Sequence, residues 1–101
     1  MFNEKKDEEH ISEDWLPIGT VVKIKSVRKP VMVYGRNQIQ SSSQKKFDYV
    51  SVPYPEGNIT EDYNLFFNHH MIEEILYMGY VTNEELNYKK TLGPKMHDKE
   101  I

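Results

Sequence analysis

The chain has 101 residues, a net charge of −3 and a hydrophobic fraction of 38%, which fits one domain with a modest core. It contains no cysteine, and this excludes disulfides and thiolate metal sites. Its apolar runs are too short to span a bilayer, and residues 1–14 are too charged to be a signal peptide. We therefore expect a cytoplasmic protein without a membrane span.

The apolar residues are concentrated in the middle of the chain. This distribution predicts one α+β domain over residues 14–92, preceded by a polar arm at 1–13 and followed by a polar tail at 93–101.

The charged side chains are segregated along the sequence. From residue 15 to 46 every charged side chain is Lys or Arg, and from residue 47 to 86 every one is Asp or Glu. A basic half could bind a polyanion. We favour the other interpretation, that the two halves pair across a sheet and neutralise each other, because a nucleic-acid-binding protein usually has a basic overall balance.

Strand signals recur from the start of the domain. Alternating or β-branched runs predict strands at residues 20–25, 31–40, 47–54 and 63–68. Gly35, in the middle of the second run, predicts a bulge or a bend. The polar segment "SSSQKK" predicts a hairpin loop, and Gly57 suits a turn after the third strand.

The segment from His69 to Val81 has two interpretations. Its apolar spacing fits a helix capped by Asn68, or one helical turn at His69–Ile72 followed by a strand at Glu74–Val81. We prefer the turn and strand, because β-forming residues and Gly79 dominate its end. A C-terminal helix then starts at Thr82, with Glu85 at the N3 position of a capping box.

Together these elements predict a small, strongly bent antiparallel sheet of four or five strands, similar to an SH3-like barrel, with a short helical turn and a C-terminal helix. Gly35, Gly57, Gly79 and Asn68 are assigned structural roles.

The polar candidates for chemistry are weak. His69 and His70 are adjacent and point in different directions, so they do not form a chelating pair, and we expect cap or surface-turn roles. Glu56, Glu61 and Asp62 flank a turn, where acidic residues are common. No nucleophile–base set and no phosphate-binding glycine loop is visible. We predict no catalytic residue, no metal and no cofactor.

Aromatic residues are abundant in the acidic half, and the third strand supplies apolar residues to both faces of the sheet. One face needs a cover, either the terminal helix or a partner. We predict a protein-binding surface formed by Tyr49, Val52, Tyr54, Phe66 and Phe67. A homodimer that closes the spare face is an alternative.

Five segments resemble a family. They are "LPIGTVV" at 16–22, "KPVMVYG" at 29–35, "FDY" at 47–49, "YPEG" at 54–57, and "FNHHMI" with the closing "GY" between 67 and 80. In this pattern the chain is similar to a small bacterial domain family of unknown function encoded beside type VII secretion loci in Gram-positive bacteria. His70 and Met71 depart from it, since acidic residues are common there in the family.

The resemblance implies that the protein binds a cognate LXG-type toxin inside the cell, as a chaperone or targeting adaptor and not as an enzyme. A different class of function is an immunity-type inhibitor whose acidic half blocks a toxin. A third is a nucleic-acid-binding barrel that uses basic residues of the first half, namely Lys23, Lys25, Arg28, Lys29 and Arg36.

Overall fold

A computed structural model describes residues 11–96 of the chain. Its strands are β1 (Val21–Ile24), β2 (Val31–Gln40), β3 (Lys45–Pro53), β4 (Leu65–Phe67) and β5 (Ile72–Tyr77). Two 3-10 turns, at Glu61–Tyr63 and His69–Met71, precede β4 and β5. One α-helix, α1, spans Asn83–Lys89.

The strands form one antiparallel sheet in the order β4-β3-β2-β1-β5. The predicted α+β class, the bent antiparallel sheet and the C-terminal helix are confirmed. The sheet does not close into a barrel, because β4 and β5 lie at opposite ends and do not pair. Both are therefore edge strands.

The predicted bend at Gly35 is confirmed. The pairing of β2 with β3 shifts register between Val33 and Gly35. A Cβ atom at Gly35 would lie 2.7 Å from Cγ1 of Val50, so the neighbouring strand packs where a side chain would be. Glycine lets the sheet bend without pushing β3 away.

The segment after Asn68 forms a turn followed by a strand, as preferred from the sequence. The strand is shorter than predicted and ends at Tyr77. The reason is Gly79, whose N–H donates to the Thr20 hydroxyl at 3.0 Å. A Cβ atom at Gly79 would collide with the carbonyl oxygen of Ile18. The chain thus turns inward there and leaves the sheet.

The core lies on one face of the sheet. Its sheet residues alternate along each strand, as Val22 with Ile24 and Val31 with Val33 do. Segments from both ends of the domain cover this face. The complete buried cluster is Trp15, Leu16, Val22, Ile24, Val31, Val33, Tyr49, Phe67, Ile72 and Leu92.

Ion pairs join the basic half of the chain to the acidic half, as predicted. Lys23 Nζ lies 3.6 Å from Glu73, and Lys29 Nζ lies 3.2 Å from Glu56. A third pair, Arg36–Glu85, is largely buried and attaches α1 to the sheet. The first two pairs are partly exposed to solvent and contribute little to stability, so the buried pair is the one that matters for the fold.

The start of α1 agrees with the predicted cap in part. The Thr82 hydroxyl accepts a hydrogen bond from the Glu85 N–H at 3.1 Å. The Glu85 carboxylate binds the Arg36 guanidinium through two bonds of 2.6 and 2.8 Å. A tertiary partner thus holds the side chain that the capping-box pattern assigns to the local backbone.

The packed region extends beyond the predicted limits of 14 and 92. Ile11 packs against the core cluster. Lys95 is buried, and the Met96 N–H donates to Asp48 at 2.8 Å. Residues 1–10 of the predicted arm and 97–101 of the predicted tail lie outside the described residues.

Candidate functional site: an apolar sheet face

The face of the sheet opposite the core carries an apolar row. The registers place Tyr77 opposite Val21, Val21 opposite Met32, and Met32 opposite Val52. Directly opposed residues of antiparallel strands project to the same side. The row therefore crosses β5, β1, β2 and β3 on one face, which we call the apolar face.

A groove of about 410 Å³ lies on the apolar face. Its depth comes from Val21 and Met32, while Tyr54 and Tyr77 are 48% and 66% exposed at its walls. The full lining is Gly19, Val21, Pro30, Met32, Tyr54, Leu76 and Tyr77. The groove has the size and lining of a site that binds an apolar group.

The structure divides the five predicted interface residues. Tyr54 lines the groove, and Val52 lies in the apolar row at 4% exposure. Phe66 is partly exposed and lines a separate polar depression. Tyr49 and Phe67 belong to the core and are almost fully buried. For these two the assignment to a contact surface is corrected.

Strand geometry explains this division. Phe66 and Phe67 are consecutive residues of β4, so their side chains project to opposite faces. Tyr49 and Val52 are an odd number of residues apart on β3 and also face opposite ways. No single face could hold all five residues. In the "VMVY" segment of β2, Met32 lies between two valines that face the core, so its side chain projects to the opposite face. This alternation was the sequence signal that could have predicted the groove.

A buried polar cluster lies on the core side, around the Tyr49 hydroxyl. That oxygen accepts from the Leu16 N–H at 3.0 Å and lies 2.7 Å from His69 Nδ1. The Ser12 carbonyl can only accept, so His69 Nε2 carries the imidazole proton and donates to it at 2.6 Å. Nδ1 of the neutral imidazole is then the acceptor, and the Tyr49 hydroxyl donates to it. His69 is thus a buried linking residue and not a surface-turn residue, a correction of the sequence interpretation.

Burial perturbs both titratable groups of this cluster. It raises the pKa of the Tyr49 hydroxyl and lowers the pKa of the His69 imidazole, and each shift favours the neutral form. Neighbouring Asp48 accepts two backbone N–H groups, from His69 and Met96, both at 2.8 Å. The hydrogen bonds join the N-terminal segment, the turn before β5 and the C-terminal segment. The cluster is therefore a structural clasp.

The remaining polar candidates lie apart from the groove lining. Glu56 pairs with Lys29. A hydrogen bond from its own backbone, followed by the contact with Lys29, lowers the pKa of the Glu56 carboxyl group. Glu61 and Asp62 are exposed in a 3-10 turn. Residues 11–96 contain no group of three His, Cys, Asp or Glu side chains arranged to hold a metal. Within the same residues, no helix is long and apolar enough to cross a membrane.

Fold and surface together define a small α+β domain with an open antiparallel sheet, one face packed and the other exposing an apolar groove. Residues 15–88, from the tryptophan before β1 to the penultimate residue of α1, match a family described as "Domain of unknown function (DUF4176)". The chain belongs to this family. Comparison with curated proteins and with solved structures finds no match to either.

Proposed function

We propose that this protein is a non-enzymatic binding partner of another protein and that the apolar face is its contact surface. The observation that carries the proposal is the row from Tyr77 to Val52, which continues into an open groove. Val21 and Val52 are buried within the row, and the exposed apolar surface comes from Tyr54, Leu76 and Tyr77 at the groove. Exposed apolar surface marks interaction sites in small soluble domains. Aromatic groups at its wall are typical anchors of protein interfaces.

The partner follows from the resemblance to proteins encoded beside type VII secretion loci. We propose that it is the cognate LXG-type toxin, bound in the cytoplasm before export. The protein would act as a chaperone or targeting adaptor by covering an apolar segment of the toxin.

The charge distribution counts against the nucleic-acid alternative. Lys23, Lys29 and Arg36 are engaged in ion pairs with carboxylates of the same chain. A phosphate backbone would have to displace these carboxylates to reach three of the five basic residues of the nucleic-acid alternative.

Co-expression with the neighbouring LXG toxin tests the proposal. We expect affinity purification and light scattering to give a complex of defined stoichiometry. Tyr77→Asp is expected to abolish it by placing a charge at the groove wall. Tyr63→Asp is the matched control, because Tyr63 is 62% exposed and lies outside the groove lining.

Each outcome has a distinct meaning. A toxin that never co-purifies with the folded protein refutes the chaperone function. Equal loss of binding in both variants refutes the assignment to the apolar face. If the protein protects growing cells from an active toxin without improving its solubility or export, the immunity-type function replaces the adaptor function.

A further inference from the structure

The outer side of β5 is an open strand edge. β5 ends the sheet and pairs with β1. Four of its six residues are exposed, namely Glu73, Glu74, Leu76 and Tyr77. An edge strand presents backbone N–H and C=O groups with which another extended segment can pair.

This edge adjoins the groove. Leu76 and Tyr77 belong to β5 and also line the groove on the apolar face. A strand added beside β5 would direct alternate side chains toward that face. Main-chain hydrogen bonds and apolar contacts would then act together, as they do when peptides are recognised by strand addition.

Charge selects which segment would pair there. Glu74 lies opposite Lys23 in the β1–β5 register, and the Lys23 ammonium is 3.6 Å from Glu73. A basic side chain on the added strand would extend this row of alternating charges across a third strand. An acidic side chain, or the β5 of a second copy with its own glutamates, would add negative charge at an edge that already carries two carboxylates.

Lys23 and Val21 are two residues apart on β1, so Glu74 and Tyr77, which lie opposite them, face the same side of the sheet. We infer that the occupant of this edge is an extended segment of the partner protein, paired antiparallel to β5, whose side chains on the apolar face are apolar beside Tyr77 and basic beside Glu74. This inference rests on the proposed function and specifies the chemistry of the partner segment.

The first test uses a capped valine–lysine decapeptide, Val-Thr-Val-Thr-Val-Thr-Lys-Thr-Lys-Thr, which carries its valines and lysines on one face of a strand. It is added to the full chain and followed by NMR. We expect chemical-shift changes confined to β5 and the groove, and slower hydrogen exchange at alternate amides of Ile72–Tyr77. A permuted peptide of the same composition, with its two lysines moved to threonine positions, should bind more weakly, because its valines and lysines then face opposite sides of the strand. Shift changes located elsewhere, or equal binding of the permuted peptide, would overturn the inference.

Charge reversal provides a matched pair of variants. Glu73→Lys with Glu74→Lys should weaken binding of the valine–lysine peptide by roughly tenfold, because cross-strand attraction becomes repulsion at two positions. Glu61→Lys with Asp62→Lys makes the same change in net charge on an exposed 3-10 turn and should leave the affinity unchanged. Equal weakening in both variants would mean that only net charge matters, which contradicts the inference.

The toxin complex separates this inference from the proposed function. If the toxin fails to bind while the peptide pairs with β5, the proposal that the toxin is the partner is refuted and the inference of strand pairing is retained. If the toxin binds while the β5 amides exchange as fast as in the free protein, strand pairing at β5 is refuted and the proposed function is retained. A self-dimer that protects the β5 amides would identify a second copy as the occupant and overturn the inference.

Discussion

One largely buried ion pair joins α1 to the sheet, and its removal gives a sharp prediction. The Arg36 and Glu85 side chains are only 5% and 13% exposed, and two hydrogen bonds join them. No residue of α1 is buried. The ring of Tyr88, 5.4 Å from the Arg36 guanidinium carbon, adds a cation–π contact.

Glu85→Ala leaves the Arg36 guanidinium buried without its counter-charge. Loss of one partner of a buried pair costs about 3–5 kcal/mol. A seven-residue helix such as α1 has little stability of its own and can move away. That movement would hydrate the guanidinium again, so we expect the low end of the range, a loss of about 3 kcal/mol in the free energy of unfolding.

Urea unfolding followed by the fluorescence of Trp15 measures this loss, because Trp15 is the single tryptophan and is buried against Tyr49. Glu84→Ala is the matched control. Glu84 occupies the same first turn of α1, so both variants lose a similar interaction with the helix dipole. The Glu84 side chain is exposed, so Glu84→Ala should lower the free energy of unfolding by less than about 0.5 kcal/mol.

A double variant completes the test. Arg36→Met with Glu85→Leu replaces the pair by apolar groups, and such replacements of buried ion pairs are often neutral or stabilising. We expect it to recover most of the stability lost in Glu85→Ala. The reasoning is refuted if Glu85→Ala and Glu84→Ala unfold at the same urea concentration, since the ion pair would then contribute nothing to the docking of α1.

Three further changes test the clasp and the turn after β5. Burial lowers the pKa of His69 below its ordinary 6.5, so the unfolded chain binds more protons just below that pH. Stability should be complete above pH 6.5 and fall as the pH drops below it, and urea midpoints of His69→Gln should lack this part of the decline. Tyr49→Phe should cost about 2 kcal/mol, because two buried groups lose their partner; an unchanged urea midpoint would contradict the hydrogen-bond assignment. Gly79→Ala should cost about 1–3 kcal/mol through collision with the Ile18 carbonyl, whereas Tyr80→Ala, at a side chain 85% exposed, should leave the thermal midpoint nearly unchanged.

The sequence determined the features that depend on neighbouring residues. β-Branched and alternating runs predicted the strands to within a few residues, and Gly35 predicted the bend that the β2–β3 register confirms. Thr82 predicted the start of α1 in the same way. These signals are local, because backbone propensity, alternation and capping act over two to four residues and are present in the chain before it folds.

Only the tertiary structure decided which aromatic residues are buried. β2 and β3 carry apolar residues on both faces, so alternation alone could not separate core from surface. The N-terminal and C-terminal segments cover one face, which buried Tyr49 and left Tyr54 beside the groove.

The same holds for the polar contacts between distant parts of the chain. Arg36 binds Glu85 across 49 residues, and His69 binds the Ser12 carbonyl across 57. Local rules assigned Glu85 to a capping box and His69 to a surface turn. These contacts could not be predicted from local rules, because burial and long-range pairing depend on how the segments pack in space. The same local pattern is compatible with several packings.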